Sequence, residues 1–185
     1  MVSVYIDIDG CLVDYPSNEM LEFFHRKNSV DVSAIKNIQD LKNCLSKEEY
    51  NTTKNEYRRS GIKRNLKVID AAKDAINTIK QFAEIIILTS RPIQEQNVIN
   101  TKHWLLKNSI SHDKLLFVRH KDDFLPVPNN GSKIFIIDDD PLFLSQYKKY
   151  SNTYGLLYSA GKPLNTHKEK KTRWDEITKF IQNKL

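Results

Sequence analysis

Apolar positions along this 185-residue chain fall into two rhythms. Short, nearly continuous apolar runs at 2–8, 85–88, 115–118, 134–137 and 154–158 have the length of buried β-strands. Between them, apolar residues recur at close to the 3.6-residue helical period. Examples are Ile35, Ile38, Leu41 and Leu45, then Ile69, Ala72, Ile76 and Ile79, and finally Trp174, Ile177 and Ile181. The spacing predicts helices beginning near Ser17, over 32–45, 47–59, 68–82 and 93–108, from Pro141 to about 150, and over 172–185. Punctuation supports these boundaries. Ser17 or Asn18 suits an N-cap, Ser46 with Glu49 forms a capping-box pattern, and Gly61 suits a helix end. Pro92 and Pro141 stand where helices commonly start. The stretch 120–131, with Pro126, Pro128 and Asn129-Asn130, reads as a loop, as does the basic stretch 159–171.

Strands alternating with helices argue for an α/β fold, a Rossmann-like three-layer parallel sheet with helices on both faces. A helical stretch interrupts this order directly after the first strand. The expected organisation is a core from 1–14 and 65–185, with 15–64 as a small helical cap. The cap stretch carries Tyr50, Tyr57, Arg58, Arg59, Lys63 and Arg64, groups of the kind that hold phosphorylated or stacked ligands, although for any single one an ordinary solvated helix face is the favoured reading.

The chemistry is concentrated where the first strand ends, in Asp7-Ile8-Asp9-Gly10. Residues at i and i+2 of an extended chain share a face, so both carboxylates start out aimed the same way. Their repulsion raises one pKa unless a cation sits between them, and Mg²⁺ is the oxygen-seeking cation that suits such a site. Gly10 allows a sharp backbone turn. Asp-Gly between apolar residues is also a hairpin signal, and at this point both readings stand. Two further polar clusters follow apolar strands, Thr89-Ser90 and Asp138-Asp139-Asp140. Ligands of open parallel sheets bind beyond the carboxyl ends of the strands, where these groups would gather. Lys133, at the start of the fourth strand, is the first candidate for a lysine of the site, and Lys114 is the second. Carboxylates, Mg²⁺, a hydroxyl and a lysine make a phosphoryl-transfer set. Asp140, before Pro141, reads as an N-cap.

Composition narrows the picture modestly. No apolar run approaches the ~20 residues of a membrane span. No basic-then-apolar leader is visible, and Cys11 and Cys44 form neither a disulfide framework nor a zinc pattern, so a cytoplasmic protein is expected. The net charge of +6 favours anionic partners. Nucleic acid is disfavoured among them, because the basic run 162–173 has too few aromatic residues for a stacking platform.

The ordered set Asp7-Ile8-Asp9-Gly10, Thr89, a lysine and Asp138-Asp139 resembles the haloacid dehalogenase (HAD)-like phosphohydrolase superfamily, over roughly residues 2–150. Cys11 departs from its pattern at a packing position. Within the superfamily, Tyr57-Arg58-Arg59-Ser60-Gly61, the segment 66–79 and Leu88-Thr89-Ser90-Arg91-Pro92 look most like the 5'(3')-deoxyribonucleotidase branch. The segment 101–119 is also similar to the phosphatase part of polynucleotide kinase-phosphatases. The resemblance implies a Mg²⁺-dependent phosphatase working through an aspartyl phosphate, with a small cap over the site. Asp7 would be the nucleophile and Asp9 the general acid and base. Asp7, the Asp9 carbonyl, Asp138 and Asp139 would hold the metal, and Thr89, Ser90 and Lys133 would bind phosphate. The implied substrate is a small phosphorylated molecule, a (deoxy)nucleoside monophosphate first. A 3'-phosphorylated polynucleotide or a sugar phosphate remains an alternative, and a receiver-like signalling domain fits less well.

Overall fold

The computed structural model describes residues 1–121, 124, 128, 131–158 and 173–185. The basic stretch 159–171 and most of the loop 120–131 lie outside the described residues. Five strands form one wholly parallel sheet: β1 (Val2–Ile6), β2 (Glu84–Thr89), β3 (Lys114–Phe117), β4 (Lys133–Asp138) and β5 (Thr153–Leu157), in the order β3-β2-β1-β4-β5. The helices are α1 (Asn18–Asn28), α2 (Ile38–Asn43), α3 (Lys47–Arg59), α4 (Ala72–Ile79), α5 (Glu95–Lys107), α6 (Pro141–Ser145) and α7 (Trp174–Gln182). This is the expected α/β layering.

The first strand is central because it can be covered on both sides. Ile6 pairs in register with Ile87 of β2 and with Ile137 of β4. Alternating side chains feed two cores. On one face Val4, Ile6, Ile85, Ile87, Phe135 and Ile137 pack against α4, α5 and α7. On the other Leu88, Ile134 and Ile136 meet Phe143, Leu144 and Tyr147. Each fully buried aliphatic side chain contributes about 1.5–3 kcal/mol, whereas an exposed ion pair contributes about 1 kcal/mol at most, so these cores hold the sheet. Two tryptophans tie distant segments to it. Trp104 Nε1 donates to the Leu66 carbonyl at 2.8 Å, and Trp174 Nε1 to that of Cys11 at 3.1 Å.

Residues of the insert bury a cluster of their own, in which Met20, Phe24, Val30, Leu41, Tyr50 and Tyr57 pack together. Its local signals are realised closely. Ser17 caps α1 by accepting the Met20 N–H, and Ser46 with Glu49 completes the capping box of α3. Gly61 follows α3 in a left-handed conformation, φ 78°.

Three helices are shorter than expected, one of them α6, which ends at Ser145 and passes into a 3₁₀ turn at Gln146–Lys149. The span 32–45 contains only a 3₁₀ turn at Val32–Ala34 and then α2. The reason is local: the Asp31 carboxylate accepts the Ser33 N–H, and Asn37 with Asp40 forms a second capping box. Side chains that bond nearby backbone compete with helix continuation, so the apolar period is broken into two turns. The span 68–82 becomes helical only from Ala72, after Ala71 turns through φ 66°. Residues before it run back beside the first loop, where the Ile69 N–H donates to the Leu12 carbonyl at 2.9 Å.

Candidate active site

The loop after β1 carries the first carboxylates. The Asp7 N–H still donates to the Ile137 carbonyl at 3.0 Å, so Asp7 is held in sheet register beside the end of β4. The chain then curls tightly, and the N–H groups of Cys11, Leu12 and Val13 all point at the Ile8 carbonyl. The Asp-Gly signal therefore makes a compact turn and not a two-stranded hairpin. Gly10 has φ +103°, and a methyl group there would lie 2.2 Å from the Asp139 carboxyl carbon. Glycine is required at this position both for conformation and for space.

Asp7, Asp138 and Asp139 each offer a carboxylate oxygen, and these oxygens lie within 4.8 Å of one another. Lys121, just beyond β3, reaches into this group and donates to Asp7 at 2.8 Å and to Asp138 at 2.7 Å. Asp138 also accepts the Asp140 N–H at 2.9 Å. Three carboxylates share one ammonium, so the cluster is short of positive charge. Burial, together with the charges on Asp138 and Asp9, outweighs Lys121 and raises Asp7 to about 8. Burial and the Asp138 charge raise Asp139 to about 7; although the residue is exposed overall, its carboxyl is wedged against Gly10. Lys121, facing two carboxylates, holds its proton above the usual lysine range despite being buried. An all-oxygen donor set with surplus negative charge fits a hard divalent cation.

Asp9 behaves differently from its neighbour. Its carboxylate accepts two hydrogen bonds from the Arg91 guanidinium, at 2.9 and 2.6 Å, and one from Lys63 at 2.9 Å. Burial alone would raise its pKa, but Arg91 and Lys63 hold it well below the usual carboxylate range. The two cations come from different places. Arg91 follows β2, is nearly fully buried and lies against the Trp104 ring, while Lys63 comes from the end of the helical insert. The expected metal role of Asp9 rests on its carbonyl, and its side chain is turned to these cations.

Of the expected phosphate-binding residues, Ser90 lines the cavity. Thr89 ends β2 and is buried, and its hydroxyl accepts the Arg91 N–H at 3.2 Å, a strand-end cap. Lys133 is not in the site, which corrects that expectation. It begins β4 at the opposite edge of the sheet, where its ammonium bonds the carbonyls of Lys184 and Leu185. Lys114 likewise begins its strand and pairs with Glu84 at 2.7 Å. The lysine beside the carboxylates is Lys121. Asp140 caps α6 as expected, accepting the N–H groups of Leu142 and Phe143.

Lys121, Arg91 and the contact of Lys63 with Asp9 are what inspection of the sequence missed. A usable signal existed for the first two, since both follow the carboxyl end of a strand, where the other site residues sit. Lys63 had no such signal. Above these groups lies a cavity of about 640 Å³ whose opposite wall is the helical insert, contributing Tyr15, Met20, Ile38, Tyr57 and Arg58 among others. Among the other basic groups expected there, Arg64 instead donates to the Asn100 side chain.

The sheet and helices match those of a HAD-superfamily hydrolase from Ehrlichia chaffeensis, with TM-score 0.59, 17% identity and coverage of 98% of this chain and 96% of that one. They also match a protein described as a haloacid dehalogenase-like hydrolase from Burkholderia xenovorans LB400, with TM-score 0.61, 14% identity and coverage of 98% and 97%. At such identity these likenesses establish the HAD-like fold. No curated protein matches the chain significantly in sequence. Among the described residues no helix is long and apolar enough to cross a membrane. The sequence model of one family, "5' nucleotidase, deoxy (Pyrimidine), cytosolic type C protein", matches residues 1–185. The chain therefore belongs to this family of HAD-type, 5'-nucleotidase-like phosphomonoester hydrolases.

Proposed function

We propose that this protein is a Mg²⁺-dependent (deoxy)nucleoside monophosphatase. The observation that carries the reading is the cluster of Asp7, Asp138 and Asp139 at the carboxyl ends of two adjacent strands, beside Lys121, on the floor of a cavity walled by the insert. Asp7, Asp138, Asp139 and the Asp9 carbonyl would hold Mg²⁺, which supplies positive charge against the phosphate oxygens. The Asp7 carboxylate attacks phosphorus in line, and the bond to the leaving oxygen breaks as an aspartyl phosphate forms. Lys121 keeps Asp7 oriented and offers charge to the transferring group. Ser90 donates to the phosphoryl group, and Thr89 positions the turn that presents it.

Asp9 is ionised where it lies, which suits the second half-reaction, in which it takes a proton from the water that attacks the aspartyl phosphate. To protonate the leaving oxygen in the first half-reaction it must loosen its hold on Arg91 and Lys63. An arriving phosphate dianion competes for both cations. The insert acts as a cap that excludes water from the aspartyl phosphate.

The reading is tested by phosphate release from nucleoside and deoxynucleoside monophosphates, sugar phosphates and 3'-phosphorylated oligonucleotides, with Mg²⁺ or with EDTA. Turnover of nucleotides that EDTA abolishes is expected. Faster release from sugar phosphates or oligonucleotides would replace the substrate assignment, and turnover indifferent to EDTA would remove the metal.

Metal binding has a signed pH dependence. Asp7 and Asp139, raised to about 8 and about 7, must lose protons before they bind a cation. Apparent Mg²⁺ affinity is therefore expected to climb through pH 6–8 and level off above about 8. Both carboxyls hold protons in the folded chain that the unfolded chain releases near pH 4, so metal-free stability falls as pH rises from about 4 to about 8 and is level above that. Mg²⁺-induced shifts in Tm, measured from pH 6 to 9, should be largest at the alkaline end, and a flat profile would contradict the assignment.

Gly10→Ala tests the packing of the cluster. The left-handed backbone costs about 1–2 kcal/mol with a side chain. The methyl group must also displace the Asp139 carboxyl, so Mg²⁺ affinity is expected to fall by about 10-fold or more. Calorimetric Mg²⁺ titration reads this directly, and unchanged affinity would show that Asp139 does not contribute.

A further inference from the structure

The cavity wall opposite the carboxylates carries positive charge that the reaction described above does not use. Lys54, on α3, is only partly exposed, and its ammonium lies 5.2 Å from the Tyr50 ring centre and 5.9 Å from that of Tyr15. No carboxylate pairs with it among the described residues. One helical turn on, Arg58 donates, among the described residues, only to Asn55 of the same helix, at 3.2 Å. Lys42 also approaches the group, 5.9 Å from the Tyr50 ring centre. Burial, and after it the charges of Arg58, Lys42 and Lys63, depress Lys54 to about 8, and the Asp9 carboxylate acts against them. Asp9 is already engaged by Arg91 and Lys63. The Tyr50 hydroxyl, close to that of Tyr15 but outside good hydrogen-bonding geometry, is buried without a partner. These cations repel one another, and the Asp9 carboxylate is already committed. An anion between them relieves the repulsion.

We propose that Lys54 and Arg58 form a second anion subsite on the insert, which anchors a second phosphate of the substrate. Both residues line the cavity whose floor carries the Asp7 cluster, so one molecule can span the two ends. The favoured substrate class is then a nucleoside bisphosphate, of which one phosphate is hydrolysed and the other is held by the insert. Tyr15 and Tyr57 line the same wall, beside which the nucleoside would lie. Arg58 supplies a forked donor for phosphate oxygens, and Lys54 a point charge.

This proposal rests on the phosphatase reading, and the experiment separates the two. Phosphate release is measured for thymidine 3',5'-bisphosphate, thymidine 5'- and 3'-monophosphates and the trinucleotide pTpTpT, with wild type, Lys54→Met and Arg58→Gln. The bisphosphate is expected to show a kcat/KM about 10-fold or more above either monophosphate, carried by KM. Each substitution is expected to remove most of that advantage, and the ratio of bisphosphate to monophosphate is the readout, so a general loss of activity does not imitate it. Added salt should erode the advantage as well. Equal kcat/KM for bisphosphate and monophosphate, or a ratio unmoved by both substitutions, overturns the subsite while leaving the phosphatase intact. A preference for pTpTpT over the bisphosphate overturns the small-molecule assignment in favour of a nucleic-acid end. No release from any substrate overturns the underlying reading instead.

Discussion

Asp7→Asn is expected to lower phosphate release by on the order of 10⁴-fold or more, the scale seen when a covalent nucleophile is removed. The amide nearly matches the carboxyl in shape but cannot attack phosphorus. The fold should survive the change. Asp7 is 5% exposed, and burial with the neighbouring carboxylates raises its carboxyl, which favours its neutral form in the metal-free protein. The amide replaces that neutral form with little loss of packing. The metal should notice the change more than the fold does, because an acidic oxygen is lost from the cluster with Asp138 and Asp139. Two measurements on one preparation decide the matter: steady-state phosphate release, and Tm with and without Mg²⁺. The expected result is absent turnover, a Tm near wild type without metal and a smaller rise on adding Mg²⁺. Activity above about 1% of wild type would remove Asp7 from the role of nucleophile.

Lys121→Met and Lys133→Met should differ by orders of magnitude. Lys121 touches Asp7 and Asp138 and, among the described residues, is the one cation bonded to both. Its loss removes charge stabilisation from a water-poor site, which costs about 10²–10³ in kcat. The vacated carboxylates should also repel more strongly, lowering stability at alkaline pH in a way that Mg²⁺ repairs. Lys133 bonds carbonyls at the end of the chain, on the far edge of the sheet. Its substitution should leave kcat within about twofold, as expected for a surface change away from the chemistry. Comparable losses in both variants would contradict this placement of the site lysine.

The lysine also shows where inspection of the sequence went astray. Lys133 starts the strand that ends in Asp138, a spacing that the family resemblance favours. A strand rises about 3.3 Å per residue, so the two ends of β4 lie roughly 16 Å apart, on opposite edges of the sheet. A parallel sheet gathers function at the carboxyl edge, and Lys121, which follows β3, satisfies that rule. Arg91 satisfies it too, two residues beyond Thr89. The 32–45 helix failed for another reason: Asp31 caps a short 3₁₀ turn at its start and Asn37 caps a separate helix within it, a break that the apolar period concealed.

What the amino-acid sequence determined by itself was local and repetitive. The apolar runs specified the strands, the 3.6-residue period and capping residues specified most helices, and the alternation of the two specified a parallel layered sheet. It also placed Asp7, Asp9, Thr89 and Asp138-Asp139 at strand ends, because a strand's last residue is marked by the polar group that stops it. Only the tertiary structure decided which groups meet. The pairing of Asp9 with Lys63 and Arg91 joins residues 54 and 82 positions apart. Pairings of that range depend on strand order and on how the insert folds back over the sheet, and no propensity acting over a few neighbouring residues encodes either.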